Sequence, residues 1–359
     1  ASSAASDVYK RQTIRNEIGD HAVHTDNTTP MAFDYMELLN RMVNAGCKYA
    51  VMEVSSFGLV QHRIGPTHFE VGVFTNLTQD HLDYHKTMEN YYQAKRMMFD
   101  ECDDAIINMD DEYGKRLYDE IKCRKYTCGI GNTADFYADN ISIRADGTEF
   151  DYYYNGKSAH IVTQMIGMFN VFNVMAAISV CLKIGLEIND ILKALKEYKG
   201  VKGRCEIIPT GKDFTVICDY AHTPDAIENI LSSVKEYTSG DLICLFGCGG
   251  NRDSKKRPLM AKAAAKYADR LIITSDNPRD EIPEAIIDDI LAGLTDKEIP
   301  FDVVVDRTEA IYHSLKIAQK GDIIVLAGKG HEDYQVLSGN EHIHFDEREI
   351  VSEGLKLIN

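Results

Sequence analysis

From Thr13 onward, short apolar runs rich in β-branched residues alternate with amphipathic runs, and this alternation restricts the fold more than any other feature. Apolar runs too short for helices, separated by segments of helical period, specify a mainly parallel sheet covered by helices. Strands are predicted at 49–54, 71–75 and 105–108. Between about Asp135 and Thr163 the pattern changes to alternating Tyr, Ile and Val, with the turn pairs Asp146-Gly147 and Asn155-Gly156, which is antiparallel hairpin chemistry. Helices over roughly 170–184 and 188–199 lead into Gly200-Val201-Lys202-Gly203, where two glycines after a helix mark a domain hinge. Beyond it, apolar runs at 215–219, 242–246, 271–275, 302–305 and 323–327 alternate with helices near 224–237, 257–268, 283–294 and 307–318. The expectation is an α/β chain with a first domain over 13–200 and a smaller, open, Rossmann-like α/β domain over 201–359.

Residues 1–12, ASSAASDVYKRQ, carry neither helical nor strand periodicity. They resemble translated sequencing-adapter residue and are left out of the fold expectation, and the native protein is expected to continue upstream.

Composition narrows the function classes. The chain is 44% hydrophobic and 26% charged, ordinary globular usage, and its 359 residues suffice for about two to three domains. Every long apolar run is interrupted by Lys, Asp or Gly, so no membrane-spanning helix is expected, and no secretory signal is visible. Thirty-nine basic against 56 acidic residues leave a net charge of −17, which argues against nucleic acid or membrane surfaces as partners. An anionic ligand must then be held by local basic groups. The nine cysteines show no paired metal spacing and read as reduced core residues of a cytoplasmic protein.

In an open α/β sheet, ligands bind beyond the carboxyl ends of the strands, so polar residues that follow apolar runs are the first candidates. Glu53 and Ser55 end one predicted strand, and the stretch 75–81 ends the next. Taken alone, Glu53 reads as readily as a solvated carboxylate or a cap. His81 and His85 enclose Leu-Asp-Tyr, but no third nitrogen or sulfur ligand is placed for zinc, and the surrounding oxygens favour Mg²⁺. Lys95 shares three- and four-residue spacing with Met88, Tyr91, Tyr92 and Phe99, so it stands in the apolar stripe of its helix. It either snorkels along the core edge or is a buried amine with a depressed pKa, neutral enough to react with CO₂. Asn170 and Asn173 open a helix, either as caps or as amides suited to an adenine edge.

In the second domain, Asp219 and His222 follow a strand, while Thr223-Pro224 is a helix start that needs no function. The loop 247–253 does not have the G-x-G-x-x-G spacing; it offers backbone flexibility around Arg252, with Lys255, Lys256 and Arg257 adding positive charge. Two further strand ends carry Asp276-Asn277-Pro278-Arg279 and Gly328-Lys329-Gly330-His331-Glu332. Pro278 stiffens its loop and orients Arg279; the bland alternative is a type I turn with a solvent-facing arginine.

In chain order, DNTTP (26–30), MEVSSFGLVQHR (52–63), TNLTQDHLDYH (75–85), YYQAK (91–95), FNVFN (169–173), GRCE (203–206), DYAHTPDA (219–226), GCGGNRDSKKRP (247–258), DNPR (276–279) and GKGHEDYQ (328–335) closely resemble the Mur ligases of peptidoglycan synthesis. The resemblance runs from about Ile14 to the C-terminus and is closest to the members that attach the third peptide residue. It implies a central ATPase-type α/β domain followed by a C-terminal amino-acid-binding domain. The implied activity is ATP-dependent addition of meso-2,6-diaminopimelate to a UDP-N-acetylmuramoyl dipeptide through an acyl phosphate, by a cytoplasmic monomer. By this resemblance Asn27, Thr28, Thr29, Ser55, Gln61 and Arg63 grip the UDP-sugar dipeptide, and Glu53 and His81 help hold Mg²⁺. Lys95 resembles the family's carbamylated lysine (N6-carboxylysine), an oxygen ligand for a second Mg²⁺. Asn173 would face adenine, and Arg204 and Asp219 would close on ATP. Phe57 stands where many relatives have His, a departure that leaves the main roles in place.

Diaminopimelate differs from lysine in carrying a distal carboxylate. Arg279 can take that carboxylate bidentately, with Asn277 and Asp276 available to the ammonium and, by the resemblance, Arg252, Pro278, Gly328 and Glu332 completing the pocket. Lysine would leave the guanidinium unpaired, at a cost of roughly 1–3 kcal/mol or more, so diaminopimelate is expected over lysine. The family's phosphate-cradling loop, G-T-N-G-K-T, is not found in this sequence, and the fragment is expected to be inactive or nearly so. A lysine-adding ligase and a noncatalytic amino-acid-binding fragment are the rival readings; folylpolyglutamate synthetase shares the architecture but not the DNPR and HEDYQ context.

Overall fold

Runs of Ile, Val and Leu in the second half of the chain form strands buried on both faces, as a parallel sheet between helices requires. The computed structural model describes residues 8–11, 16–19, 21–23, 27–144, 147–294 and 299–358. The chain divides into two units, one of residues 1–141, 149–162 and 171–197, the other of residues 142–148, 163–170 and 198–359.

In chain order the first part carries β1 (Val8–Arg11), β2 (Asn16–Ile18), β3 (His21–Val23), α1 (Ala32–Asn44), β4 (Tyr49–Met52), α2 (Ser56–Val60), β5 (Phe69–Phe74), α3 (Leu82–His85) and α4 (Met88–Arg96). There follow β6 (Cys102–Asn108), α5 (Glu112–Glu120), β7 (Arg124–Ile130), β8 (Phe136–Arg144), β9 (Gly147–Tyr154), β10 (Lys157–Thr163), α6 (Met168–Lys183) and α7 (Ile188–Glu197). One sheet has the order β3-β2-β1-β4, with β1 parallel to β4. Val8–Arg11, left out of the sequence expectation, is therefore a strand: pairing with β4 supplies hydrogen bonds that its own pattern does not announce. A second sheet has the order β10-β9-β8-β7-β6-β5, with β5 to β8 parallel in succession. Asn155 and Gly156 connect β9 to β10 with φ of 47° and 72°, the positive values that a two-residue hairpin turn demands. Asp146, the other expected turn residue, lies outside the described residues.

The second part carries β11 (Glu206–Ile208), β12 (Thr215–Asp219), α8 (Pro224–Lys235), β13 (Leu242–Phe246), α9 (Lys256–Tyr267), β14 (Arg270–Ile273), α10 (Pro283–Leu291), β15 (Phe301–Val303), α11 (Arg307–Ile317), β16 (Ile323–Ala327), β17 (Tyr334–Val336), β18 (His342–His344) and α12 (Glu347–Leu357). Its sheet has the order β11-β12-β16-β13-β14-β15, parallel throughout except for β11. Alternate strand residues face two cores. Ile217, Cys244, Phe246 and Val325 pack with residues of α8, α9 and α10, while Cys218, Leu245, Ile324 and Leu326 pack with α11 and α12. Thr223 caps α8 by accepting a hydrogen bond from Ala226 N, with Pro224 in the first turn, as the sequence signals. The carboxyl ends of β12, β13, β14 and β16 thus open on one edge, where the loops of interest sit. Among the described residues, no helix is long and apolar enough to cross a membrane.

Candidate functional site

Two clusters stand out, one in each unit. In the first unit, β4 runs into Glu53 and then α2, whose N-cap is Ser55 accepting from Gly58 N at 3.0 Å. Ser55 therefore caps a helix, and it is tied by its own N–H to Thr29 Oγ1 at 2.9 Å. Thr29 is fully buried and donates to Glu53 O at 3.3 Å. Arg63 donates to Thr29 O at 2.9 Å and to Gln61 Oε1 at 2.8 Å from Nε. Thr29, Ser55, Gln61 and Arg63, separated by up to 34 residues, are thereby one connected network. Asn27 and Thr28 lie in the bend that leads to it.

His81 opens α3 in the left-handed region, φ 55°, with its backbone N–H donating to Asp80 Oδ1 at 2.8 Å and its Nε2 3.6 Å from Asp80 Oδ2. His85 does not join it: it is buried, bonded to Ser56 Oγ at 2.9 Å and stacked on Tyr91 at 5.0 Å. The H-x₃-H pair thus has two different jobs. Phe57 packs edge-on to His81 at 5.1 Å and against Tyr84 at 4.4 Å.

Lys95 is half-buried on α4, its Nζ 5.2 Å from the centre of the Tyr91 ring. Burial lowers the pKa of its amine, against the opposing pull of Glu53 and Asp80. The same burial, reinforced by Asp80 and Glu53, pushes the Tyr91 hydroxyl up to about 12. Glu53, Asp80, His81, Tyr91 and Lys95 are consequently within electrostatic reach of one another. Among the described residues, no three His, Cys, Asp or Glu side chains are placed to hold a metal unaided. The donor set still fits Mg²⁺, which takes one or two protein carboxylates and completes its shell with water and phosphate. Asp80, in the stretch 75–81, and Tyr91, in the stripe of Lys95, were assigned no role from the sequence; the carboxylate next to His81 was the available signal. Asn173 is exposed on α6.

In the second unit Asp219, at the end of β12, accepts from Cys205 N at 2.7 Å. Burial raises its pKa, and Cys205 N–H and Arg204 oppose the rise. Arg204 is exposed, its guanidinium 4.8 Å from the Tyr220 ring. The loops after β13, β14 and β16 then converge. A Cβ on Gly250 would lie 1.9 Å from Pro278 O, so only glycine lets these loops meet. Arg279, at φ 52°, is half-buried and donates from Nη1 to Gly250 O at 2.9 Å. It is not the solvent-facing arginine of a simple turn. A Cβ on Gly249 would lie 2.9 Å from Arg279 Nη1 and 3.7 Å from Arg252 Cγ, so both arginines flank that glycine. Arg252 itself is exposed.

Two residues before Arg279, Asn277 enters a buried polar cluster. Asn277 donates from Nδ2 to Glu332 Oε2 at 3.0 Å, and its Oδ1 accepts from Val336 N at 2.9 Å. Its carbonyl is thus engaged by the protein, which makes Asn277 as much a brace as a ligand. Lys329, part of a strand-end stretch but given no role of its own by the sequence, is fully buried. Its Nζ donates to Asn277 Oδ1 at 2.5 Å and Tyr334 O at 2.9 Å, and lies 3.1 Å from Asp276 Oδ1 and 3.3 Å from Glu332 Oε2. Burial works against the charge of Asp276, yet Lys329 and Arg307 outweigh it and hold the carboxyl below its ordinary value. Gly328 adopts φ 119° beside the Asp276 carboxylate. A lysine between two glycines after a buried strand was the sequence signal for this hub.

Known proteins resemble both halves of the chain. The Mur ligase middle domain profile matches residues 3–181, and the Mur ligase glutamate ligase domain profile matches residues 203–330. The chain is 47% identical over 346 residues to "UDP-N-acetylmuramoyl-L-alanyl-D-glutamate--2,6-diaminopimelate ligase 1" of Clostridium acetobutylicum, covering 96% of this chain and 71% of that protein. It is 45% identical over 350 residues to the 2,6-diaminopimelate ligase of Thermosynechococcus vestitus, covering 96% of this chain and 70% of that one. Among solved structures, one UDP-N-acetylmuramoyl-L-alanyl-D-glutamate--2,6-diaminopimelate ligase superposes with a TM-score of 0.70 at 33% identity, covering 99% of this chain and 74% of the other.

Proposed function

The chain belongs to the Mur ligase family, and from that premise we propose that it serves peptidoglycan precursor synthesis by joining meso-2,6-diaminopimelate to UDP-N-acetylmuramoyl-L-alanyl-D-glutamate at the expense of ATP. A carboxylate is a poor electrophile; phosphoryl transfer from ATP converts it to an acyl phosphate, which the amine of the acceptor attacks with release of phosphate. Two anions must approach for the first step, in a chain of net charge −17. Bound Mg²⁺ would neutralise them, held by Glu53, His81 and a carbamylated Lys95. Burial favours the neutral Lys95 amine, the form that adds CO₂. Thr29, Ser55, Gln61 and Arg63, with Asn27 and Thr28, would bind the nucleotide-sugar dipeptide; Asn173, Arg204 and Asp219 would serve ATP.

The acceptor pocket carries the reading, through one observation: Arg279 is half-buried and held on Gly250 O, with its Nη1 3.5 Å from the carbonyl of Asn277, the residue whose amide donates to Glu332. That arrangement suits a carboxylate on the guanidinium and an ammonium on the acids, the two charges of an amino-acid head group. Arg252, Pro278 and Gly328 complete the wall. The nine cysteines are free thiols, which supports a reducing compartment, the cytoplasm.

Calorimetric titration of the chain with meso-2,6-diaminopimelate and L-lysine tests the assignment. Diaminopimelate should bind at least about tenfold more tightly, a difference of ~1.4 kcal/mol, and Arg279→Ala should abolish the preference. Equal affinity for lysine would assign the pocket to another diamino acid.

A further inference from the structure

The loops after β14 and β16 bring four charged side chains, balanced in number, to one end of the sheet. Asp276 and Glu332 are negative, Arg279 and Lys329 positive. Arg307 is taken up by Glu347, both fully buried at 2.8 Å, and Arg257 by Asp289 and Glu281, each at 2.9 Å. Arg252 stays on the exposed rim. Those four charges by themselves sum to zero, and a ligand that adds no net charge leaves them so; the carboxylate that Arg257 does not balance belongs to partners that are 35% and 50% exposed and is met by solvent.

We propose that Lys329 is the specificity-determining residue that tunes this pocket to a zwitterionic amino-acid head rather than to a bare amine. This rests on the acceptor reading given above and extends it to a residue that touches no substrate. Lys329 sits with its Nζ between Asp276 Oδ1 and Glu332 Oε2, at 3.1 and 3.3 Å, so it offsets one of the two carboxylates. What remains for the ligand is one negative charge and, on Arg279, one positive charge, matching an ammonium and a carboxylate. Without Lys329 the two carboxylates would face the ligand with only Arg279 opposing them. A pocket of net −1 favours a cationic amine end, as in lysine, over a head group of net zero, because buried charge is costly unless compensated. Lys329 also positions: the contact with Asn277 Oδ1 fixes the amide whose Nδ2 holds Glu332.

The test measures binding of meso-2,6-diaminopimelate and of L-lysine to the full chain by calorimetry, for wild type, Lys329→Met, and Lys329→Met/Glu332→Gln. The single variant should lose at least tenfold in the preference for diaminopimelate over lysine. The double variant removes one charge of each sign, restoring neutrality, and should recover most of that preference. Carbon-detected titration of the Asp276 carboxyl supplies a readout free of ligand, and the carboxyl should titrate higher in Lys329→Met than in wild type. Should Lys329→Met fail to fold, the double variant, with no uncompensated charge, carries the comparison with wild type. If wild type binds neither amino acid, the acceptor reading falls and this inference with it. If wild type discriminates and Lys329→Met discriminates equally, or the double variant is no better than the single one, this inference alone is overturned.

Discussion

The ion pair of Arg307 and Glu347 offers a demanding test of how the second unit is held together. Both side chains are fully buried, and Arg307 donates to Glu347 Oε1 from Nε at 2.9 Å and from Nη2 at 2.8 Å. The same guanidinium donates to Ala327 O at 2.9 Å and Ser275 O at 3.3 Å, the residues just before Gly328 and Asp276. Glu347 also accepts from the Cys218 thiol at 3.1 Å. Arg307→Met leaves the Glu347 carboxylate without its cation and two buried carbonyls without a donor. Breaking a buried pair in this way costs about 3–5 kcal/mol, which for a domain of 150–250 residues lowers Tm by roughly 6–20 °C. Arg307→Met/Glu347→Leu removes both charges in similar volume and should regain most of the loss, because the desolvation penalty disappears with them. Urea unfolding followed by circular dichroism measures both. A single variant within about 1 kcal/mol of wild type, or a double variant no better than the single, would refute the argument that the uncompensated charge dominates.

Other expectations concern the two sites. Incubation with ¹³C-bicarbonate should give a carbamate carbon resonance that Lys95→Gln abolishes, since burial lowers the Lys95 pKa; an unchanged spectrum would remove the carbamate. Gly58→Ala should cost about 1–3 kcal/mol in thermal unfolding, because its Cβ would lie 2.5 Å from the Cγ2 and 2.7 Å from the Cβ of the fully buried Thr29; a variant as stable as wild type would refute the clash. Asp276 is held below the ordinary aspartate value, so the stability it contributes is present above about pH 4 and is lost as the pH falls through its depressed folded value. Asp276→Asn should therefore flatten the acid limb of stability against pH, and an unaltered limb would count against the Lys329 contact. Six of the nine cysteines are buried, and burial pushes thiols such as Cys128 and Cys244 up to about 12; a thiol reagent near pH 8 should modify at most Cys47, Cys123 and Cys181 before unfolding.

Much was legible because it is local. The strands at 215–219 and 323–327, the cap at Thr223 and the Asn155-Gly156 turn follow from periodicity, one side-chain oxygen and positive φ, none of which needs a distant partner. Short elements were not legible in this way. Val8–Arg11 is a strand through pairing with β4, and β17 pairs with β18, where hydrogen bonds to another segment replace an internal pattern.

The candidate residues were legible as strand-end motifs, but their states were not. That Arg279, Lys95 and the GKGHE stretch follow or face apolar elements can be read from the residue order, because spacing alone sets which face of a helix or end of a strand a residue occupies. That His85 turns to Ser56 rather than joining His81, and that Lys329 is enclosed by Asp276, Asn277 and Glu332, follows from the packing of distant segments. The reason is that burial and charge compensation depend on which segments meet, and these meet from some fifty residues apart in the chain.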